Sequence, residues 1–369
     1  DALPADTRTI AHHFGQYGYQ TAAIGKMHFV DETQKHGFDY RVELGDFRKT
    51  LTDSEWQELR WDQDGVGTMG RPSKLSSRYF QDTYYADETV RYLREERYPD
   101  KPFILWSSYF MPHTPLVPML EYFNLYDPKT LMLPKRSENA LESGFEGHLT
   151  RSKQRGWYDQ TDEELRCALA GYYGNISQMD ACVGKVLDTL YDLGLHQNTI
   201  IVYTSDHGEM AGTHRMWTKH NMYEQSVCVP LIVRLPDDRD AGTAQNHLIE
   251  HIDLYPTLAE LCGLPVPENI QGRSFAPLFC NKAYKPREYV YSEYDFCHSV
   301  FTQDNRYVGK SPILMVRTNQ WKLNYLSWGR SELFDLEKDP NEFTNVIDEL
   351  ENAWIVRELT EIAERMYSL

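Results

Sequence analysis

What the chain lacks narrows its class before any motif is read. No apolar run approaches the roughly 20 residues that a membrane-spanning helix needs, so no membrane span is expected. Basic residues are short: 38 Lys and Arg stand against 55 Asp and Glu, a formal net charge of −17. That balance disfavours nucleic acid and anionic membranes as partners. An anionic small molecule would need a local group of cations working against the global field. The six cysteines, Cys167, Cys182, Cys228, Cys262, Cys280 and Cys297, include no CxxC pair, which argues against zinc fingers and a thioredoxin-type site. They are expected to be mostly small buried hydrophobes, with bridges left open in an oxidising compartment. The chain begins "DALPADTRTIAHHFGQYGY", without Met or a secretory pattern, and so reads as the middle of a protein.

What is present is ordinary for a soluble globular protein: 369 residues, 41% hydrophobic and 25% charged, enough for roughly two domains. A helix over about 7–17 leads into a strand at 20–24. A polar, aromatic stretch at 31–80 reads as loops. A helix starting near Asp82 then precedes the buried strand "FILWSSYF". Residues 119–160 look irregular. Thr161 and Glu164 form a capping-box pattern that starts the longest helix, with Leu165, Leu169, Ile176, Met179, Val183, Leu187 and Leu190 at helical spacing. The sequon Asn175–Ser177 falls inside that helix and reads as chance. Strands "NTIIVYTS" and "PLIVRLP" follow, then "HLIEHIDLYPTLAELCG" as a strand running into a short helix. From about 283 the texture becomes short strands and turns, closed by a helix at 346–367. The expected class is therefore α/β, a mostly parallel central sheet flanked by helices over 1–282, with a smaller C-terminal α+β subdomain over 283–369.

Three strand ends carry suggestive residues: Lys26 and His28 after the first, His113 after the next, Asp206 and His207 after a later one. Lys219 lies downstream in "RMWTKHNMYEQSVCVPL". In an open α/β sheet, ligands bind at the carboxyl ends of the strands. Asp206 and His207 suit a divalent cation, Lys26 and Lys219 can neutralise a tetrahedral oxyanion, and a histidine can protonate a leaving alcohol. Hydrolysis of a sulfate or phosphate ester needs that set. Each piece alone has a plainer reading. "TSDHGE" also fits a capped turn, "GK" a solvated lysine, and His113 between two prolines a pinned loop. The joint pattern favours one site, with His214 and Trp217 as candidates for a substrate wall.

The stretches "GYQTAAIGKMHF", "PHTPLVP", "YTSDHGEMAGTHRMWTK", "HIDLYPTLAELCGLPVPENIQGRSFAPLF" and "LFDLEKDPNEFTN" resemble, in order and spacing, the sulfatases of the alkaline-phosphatase-like superfamily. The resemblance implies that Asp206 and His207 are two ligands of one divalent metal ion. That ion is Ca2+ in most sulfatases, and Mg2+ or Mn2+ stay open because His replaces an oxygen-donating Asn. It also implies that Lys26 and Lys219 bind sulfate oxygens, that His28 contacts the nucleophile, and that His113 stands near the leaving-group oxygen as general acid. The substrate would be a small-molecule or carbohydrate sulfate ester.

One departure matters. No cysteine begins the C-x-P-S-R-type motif that such enzymes convert to formylglycine; Ile232 holds the place of the Arg in "CVPLIVR". The acidic pair that completes the family's metal site is also missing. The expectation is that both lie upstream of Asp1 and that this chain alone is inactive. A phosphonate monoesterase or phosphodiesterase, or a non-catalytic relative, are the competing readings.

Overall fold

The computed structural model describes residues 3–4, 6–29, 33–65, 67–137, 139–239, 241–280, 283–295 and 310–368. The chain forms two compact units that interleave in sequence: Asp1–Met132, Asp162–Ile200 and Cys262–Pro265 make one, and Leu133–Thr161, Ile201–Leu261 and Val266–Leu369 the other. The boundary expected at 282/283 touches residues outside the described ones, and the units do not follow it.

In the first unit, strand β1 (Gln20–Gly25) is buried at every position, as expected of a strand covered on both faces. It pairs in parallel with β2 (Tyr40–Val42) on one side and β3 (Phe103–Ser108) on the other; Ala22 faces Tyr40 and Leu105. Helix Gln81–Arg91 packs on β1 and β3 and against the 31-residue helix Asp162–Asp192. That long helix starts where the capping pattern placed it. It buries Leu165, Leu169, Met179 and Leu190, while Ile176, Val183 and Leu187 are half-buried. Its face also buries Gly171, Gly174, Asn175 and Gln178. Asn175 Nδ2 donates to Pro115 O at 3.1 Å, so the sequon is a packed structural amide.

In the second unit, β4 (Ile201–Thr204) pairs antiparallel with β5 (Leu231–Arg234) in a two-stranded sheet. The C-terminal region forms an antiparallel sheet in the order β6 (Val290–Tyr294), β7 (Ile313–Arg317), β8 (Trp321–Tyr325) and β9 (Glu332–Asp335). The final helix, Ala353–Tyr367, lays Ile355, Leu359 and Ala363 on Leu314, Val316, Leu323 and Leu333. The parallel sheet flanked by helices and the C-terminal antiparallel sheet are as expected.

Several local expectations change. The 31–80 stretch holds β2 and the helices Leu44–Lys49 and Asp53–Gln63. The second carries a capping box, Thr52 with Glu55, legible in "TDSE". Three short helices occupy 119–160. No strand forms before helix Leu254–Leu261; there Glu250 accepts the Tyr291 N–H at 2.7 Å and Asp253 pairs with Arg287. Trp106, within the strand expected to be buried, is 44% exposed. Of the described cysteines only Cys182 is buried; Cys167 and Cys262 are partly so, and Cys228 and Cys280 are exposed. Cys297 lies outside the described residues. No helix of the described residues is long and apolar enough to cross a membrane.

Candidate active site

The ends of β1 and β3 are locked together by a residue with no side chain. Gly25 has φ +109°, and a Cβ there would lie 1.8 Å from Ser108 O, so only glycine fits. The next N–H, of Lys26, donates to Ser108 O at 3.3 Å. Both chain segments leaving these strands therefore open on the same space. Lys26, His28 and His113 line one cavity of about 450 Å³, with Asp82, Trp56 and Phe110 also in its wall. The Lys26 ammonium stands 5.7 Å over the Phe110 ring, and that ring lies 4.9 Å from the His113 ring, centre to centre. His113 Nδ1 is 2.9 Å from Thr114 O. A carbonyl only accepts, so this contact keeps the proton on Nδ1 and leaves Nε2 to exchange one. His28 is exposed and left-handed, φ 56°.

Asp82 was not singled out by sequence. Only 1% exposed, it accepts the N–H of Phe110 at 2.8 Å and of Met111 at 2.7 Å. Burial pushes its pKa up to about 6, against the pull of those two N–H groups and of Lys26.

In the second unit, β4 runs into Ser205-Asp206-His207-Gly208. Gly208 is wedged against the turn after Tyr223: its N–H donates to Ser226 O at 2.8 Å, and a Cβ would meet Gln225 O at 2.0 Å. His207 N–H donates to Asp206 Oδ1 at 3.1 Å, its Nδ1 donates to Gly208 O at 2.9 Å, and its Nε2 lies 3.6 Å from Asp206 Oδ1. A carboxylate and an imidazole nitrogen side by side form a donor set suited to a divalent cation. Among the described residues no group of three or more His, Cys, Asp or Glu is placed to hold a metal ion.

Lys219 sits in a constrained loop. Ala211, His214, Arg215, Thr218 and His220 all have φ between 45° and 81°, a backbone that non-glycine residues adopt only when their surroundings impose it. The surroundings are visible. Arg151 Nη1 donates to Lys219 O at 2.8 Å and Nη2 to Thr218 Oγ1 at 2.9 Å, while Glu209 accepts the N–H groups of Thr218 and Ala211. Burial raises the Glu209 pKa and lowers that of Arg151 to about 10. His214 and Trp217 do not form a substrate wall. Both are fully buried, His214 Nε2 donating to Asn341 O at 2.9 Å and stacking on Tyr223, Trp217 Nε1 donating to Gln160 Oε1 at 3.0 Å. They brace the loop that presents Lys219.

Residues 1–264 match the sulfatase family model. The chain belongs to the sulfatase family. A second model, N-sulphoglucosamine sulphohydrolase, C-terminal, matches residues 212–368. An arylsulfatase of Clostridium perfringens is 30% identical over 92% of this chain and 74% of its own length. A choline-sulfatase of Rhizobium meliloti is also 30% identical, over 92% of this chain and 67% of its own. Other curated relatives are spanned over about three fifths of their length. A phosphonate monoester hydrolase from Silicibacter pomeroyi superposes with a TM-score of 0.83 at 24% identity, covering 100% of this chain and 81% of that one, a likeness of fold. The fold is thus alkaline-phosphatase-like, and the family comprises sulfuric ester hydrolases that generally use a divalent metal.

Within this sulfatase chain, Asp82, Glu209 and Arg151, which hold the backbone around the candidate residues, were not singled out in the sequence. Glu209 adjoins the "SDHG" stretch and could have been suspected. Asp82 and Arg151 could not, since the first reads as an ordinary polar residue of a helix and the second as one of an irregular stretch.

Proposed function

We propose that the chain serves hydrolysis of a sulfate monoester, with Lys26, His28 and His113 lining the candidate site and with Asp206, His207 and Lys219 taking the roles that the family resemblance gives them. The observation that carries this is the cavity shared by Lys26, His28 and His113 at the ends of two parallel strands, in a chain of the sulfatase family. Lys26 and Lys219 balance charge on the sulfate oxygens as compact cations. His113, through Nε2–H, gives its proton to the ester oxygen as the S–O bond breaks, so the alcohol leaves neutral. His28 meets the nucleophile, the formylglycine hydrate that the resemblance implies, whose motif these 369 residues do not contain. Asp206 and His207 would hold the metal ion, Ca2+ by the family's habit, which when bound supplies Lewis acidity toward a sulfate oxygen. The net reaction is ester plus water to alcohol, sulfate and a proton.

A carbohydrate sulfate is the favoured substrate, supported by the match of residues 212–368 to the C-terminal model of a sulphoglucosamine hydrolase. The test is a panel on the full-length gene product: p-nitrophenyl sulfate, choline sulfate, sulfated monosaccharides, a phosphonate monoester and a phosphate diester. Sulfate release, fastest from a sugar, is expected. Turnover of the phosphorus esters with none of the sulfates would replace this reading by the phosphonate hydrolase one.

A further inference from the structure

Asp82 is a buried ionisable group in the cavity wall to which the proposed reaction gives no task. A buried carboxylate is costly unless its oxygens are bonded, and here each oxygen takes one backbone N–H. Those donors are Phe110 and Met111, the residues leading into Pro112 and His113. Phe110 is also the ring that lies against His113 and under the Lys26 ammonium. The far end of the same loop has its own anchors in the long helix: Asn175 holds Pro115 O, and Gln178 Oε1 accepts the Met119 N–H at 2.8 Å. Between the two ends, His113 is the one side chain with a chemical task.

We infer that Asp82 is a positioning residue for sulfate-ester cleavage, holding His113 at the leaving-group oxygen through the backbone of Phe110 and Met111. The inference rests on the proposed function, since it takes His113 as the proton donor. Asn at this position keeps the size but offers one acceptor to two donors, its NH2 facing an N–H. The loop would then shift, and the proton donor with it.

A misplaced proton donor has a specific signature. A sugar alcohol must be protonated as it leaves, whereas p-nitrophenolate leaves unaided. In the full-length protein, Asp82→Asn is expected to lower kcat on an alkyl or sugar sulfate by about 10- to 100-fold, with KM within about threefold. The rate on p-nitrophenyl sulfate should fall less than about threefold. Asp82→Glu, which retains both acceptor oxygens, should recover part of the lost rate. Equal losses on both substrates, or no loss on either, would overturn the inference while leaving the hydrolase reading standing. A wild-type protein inactive on every sulfate ester overturns both. If Asp82→Asn does not fold, as judged by circular dichroism, Asp82→Ser takes its place, offering one short hydroxyl to the two backbone donors. It should show the same dependence on leaving group, and unchanged rates on both substrates in Asp82→Ser would overturn the inference.

Discussion

Lys26 and Lys219 are compact cations on segments whose backbones are held by other residues, so removing either charge should leave the fold intact. Lys26→Ala and Lys219→Ala in the full-length protein are each expected to lower kcat/KM on a sulfate monoester by about 100-fold or more. Lys26→Arg should not restore it, because a planar fork does not replace a point charge. Steady-state kinetics, with melting curves as control, decide this. A second residue-scale effect concerns pH. His148 is 1% exposed, and burial with the nearby Arg151 lowers its pKa to about 3. A histidine whose folded pKa lies below its unfolded value near 6.5 contributes stability that is present above 6.5 and lost as pH falls toward 3. Between pH 7 and pH 4 that loss is about 3 kcal/mol at most. Denaturant unfolding across this range should therefore be less steep in pH for His148→Gln than for wild type. Identical slopes would show that the ring is not buried neutral.

At the scale of elements, the β1–β3 contact shows how a strand end becomes a site. A helix or strand terminus is commonly a place where backbone groups need partners; here Gly25 lets Ser108 come so close that the chains diverge into one cavity. Gly25→Ala should destabilise by about 2 kcal/mol or more, from a left-handed backbone together with a clash against a carbonyl. Gly18→Ala supplies the comparison, since its φ is +82° but nothing lies within 4 Å of the added methyl. It should cost about 1 kcal/mol, the left-handed penalty alone. Chemical denaturation of the two variants measures the difference; equal costs would mean the β1–β3 approach is looser than described. The loop 211–220 follows the same logic through polar groups, Arg151 and Glu209 imposing a backbone that its own residues would not choose.

At the scale of the whole molecule, both units keep costly polar elements. In the second unit, Lys322 on β8 is wholly buried, 2.9 Å from Glu224 and 2.8 Å from Glu342, with Arg317 also paired to Glu224. Two carboxylates around one ammonium are tolerable only as a set. Lys322→Met leaves Glu342, itself buried, without its cation, and should cost about 3–5 kcal/mol. Replacing Lys322 and both glutamates by apolar residues together should cost less. Equilibrium unfolding of the single and triple variants tests this, and a triple variant less stable than the single one would contradict it.

The sequence by itself determined the class and the family, and it marked Lys26, His28, His113, Asp206, His207 and Lys219 as candidates. Those are properties of short stretches: an apolar strand announces itself by composition, and "AAIGKMH", "PHTP" and "TSDHGE" place chemistry at strand ends without reference to anything distant. The helices of 31–80 were legible only in the Thr52 capping box, because their hydrophobic spacing is weak. The tertiary structure decided which polar residues hold rather than touch. Nothing local distinguishes Asp82 from a solvated carboxylate in the first turn of a helix, or His214 and Trp217 from a substrate wall. Burial and partner depend on segments far away in the chain, and those are what turn an aspartate into a clamp for His113 and a tryptophan into a brace for the loop of Lys219.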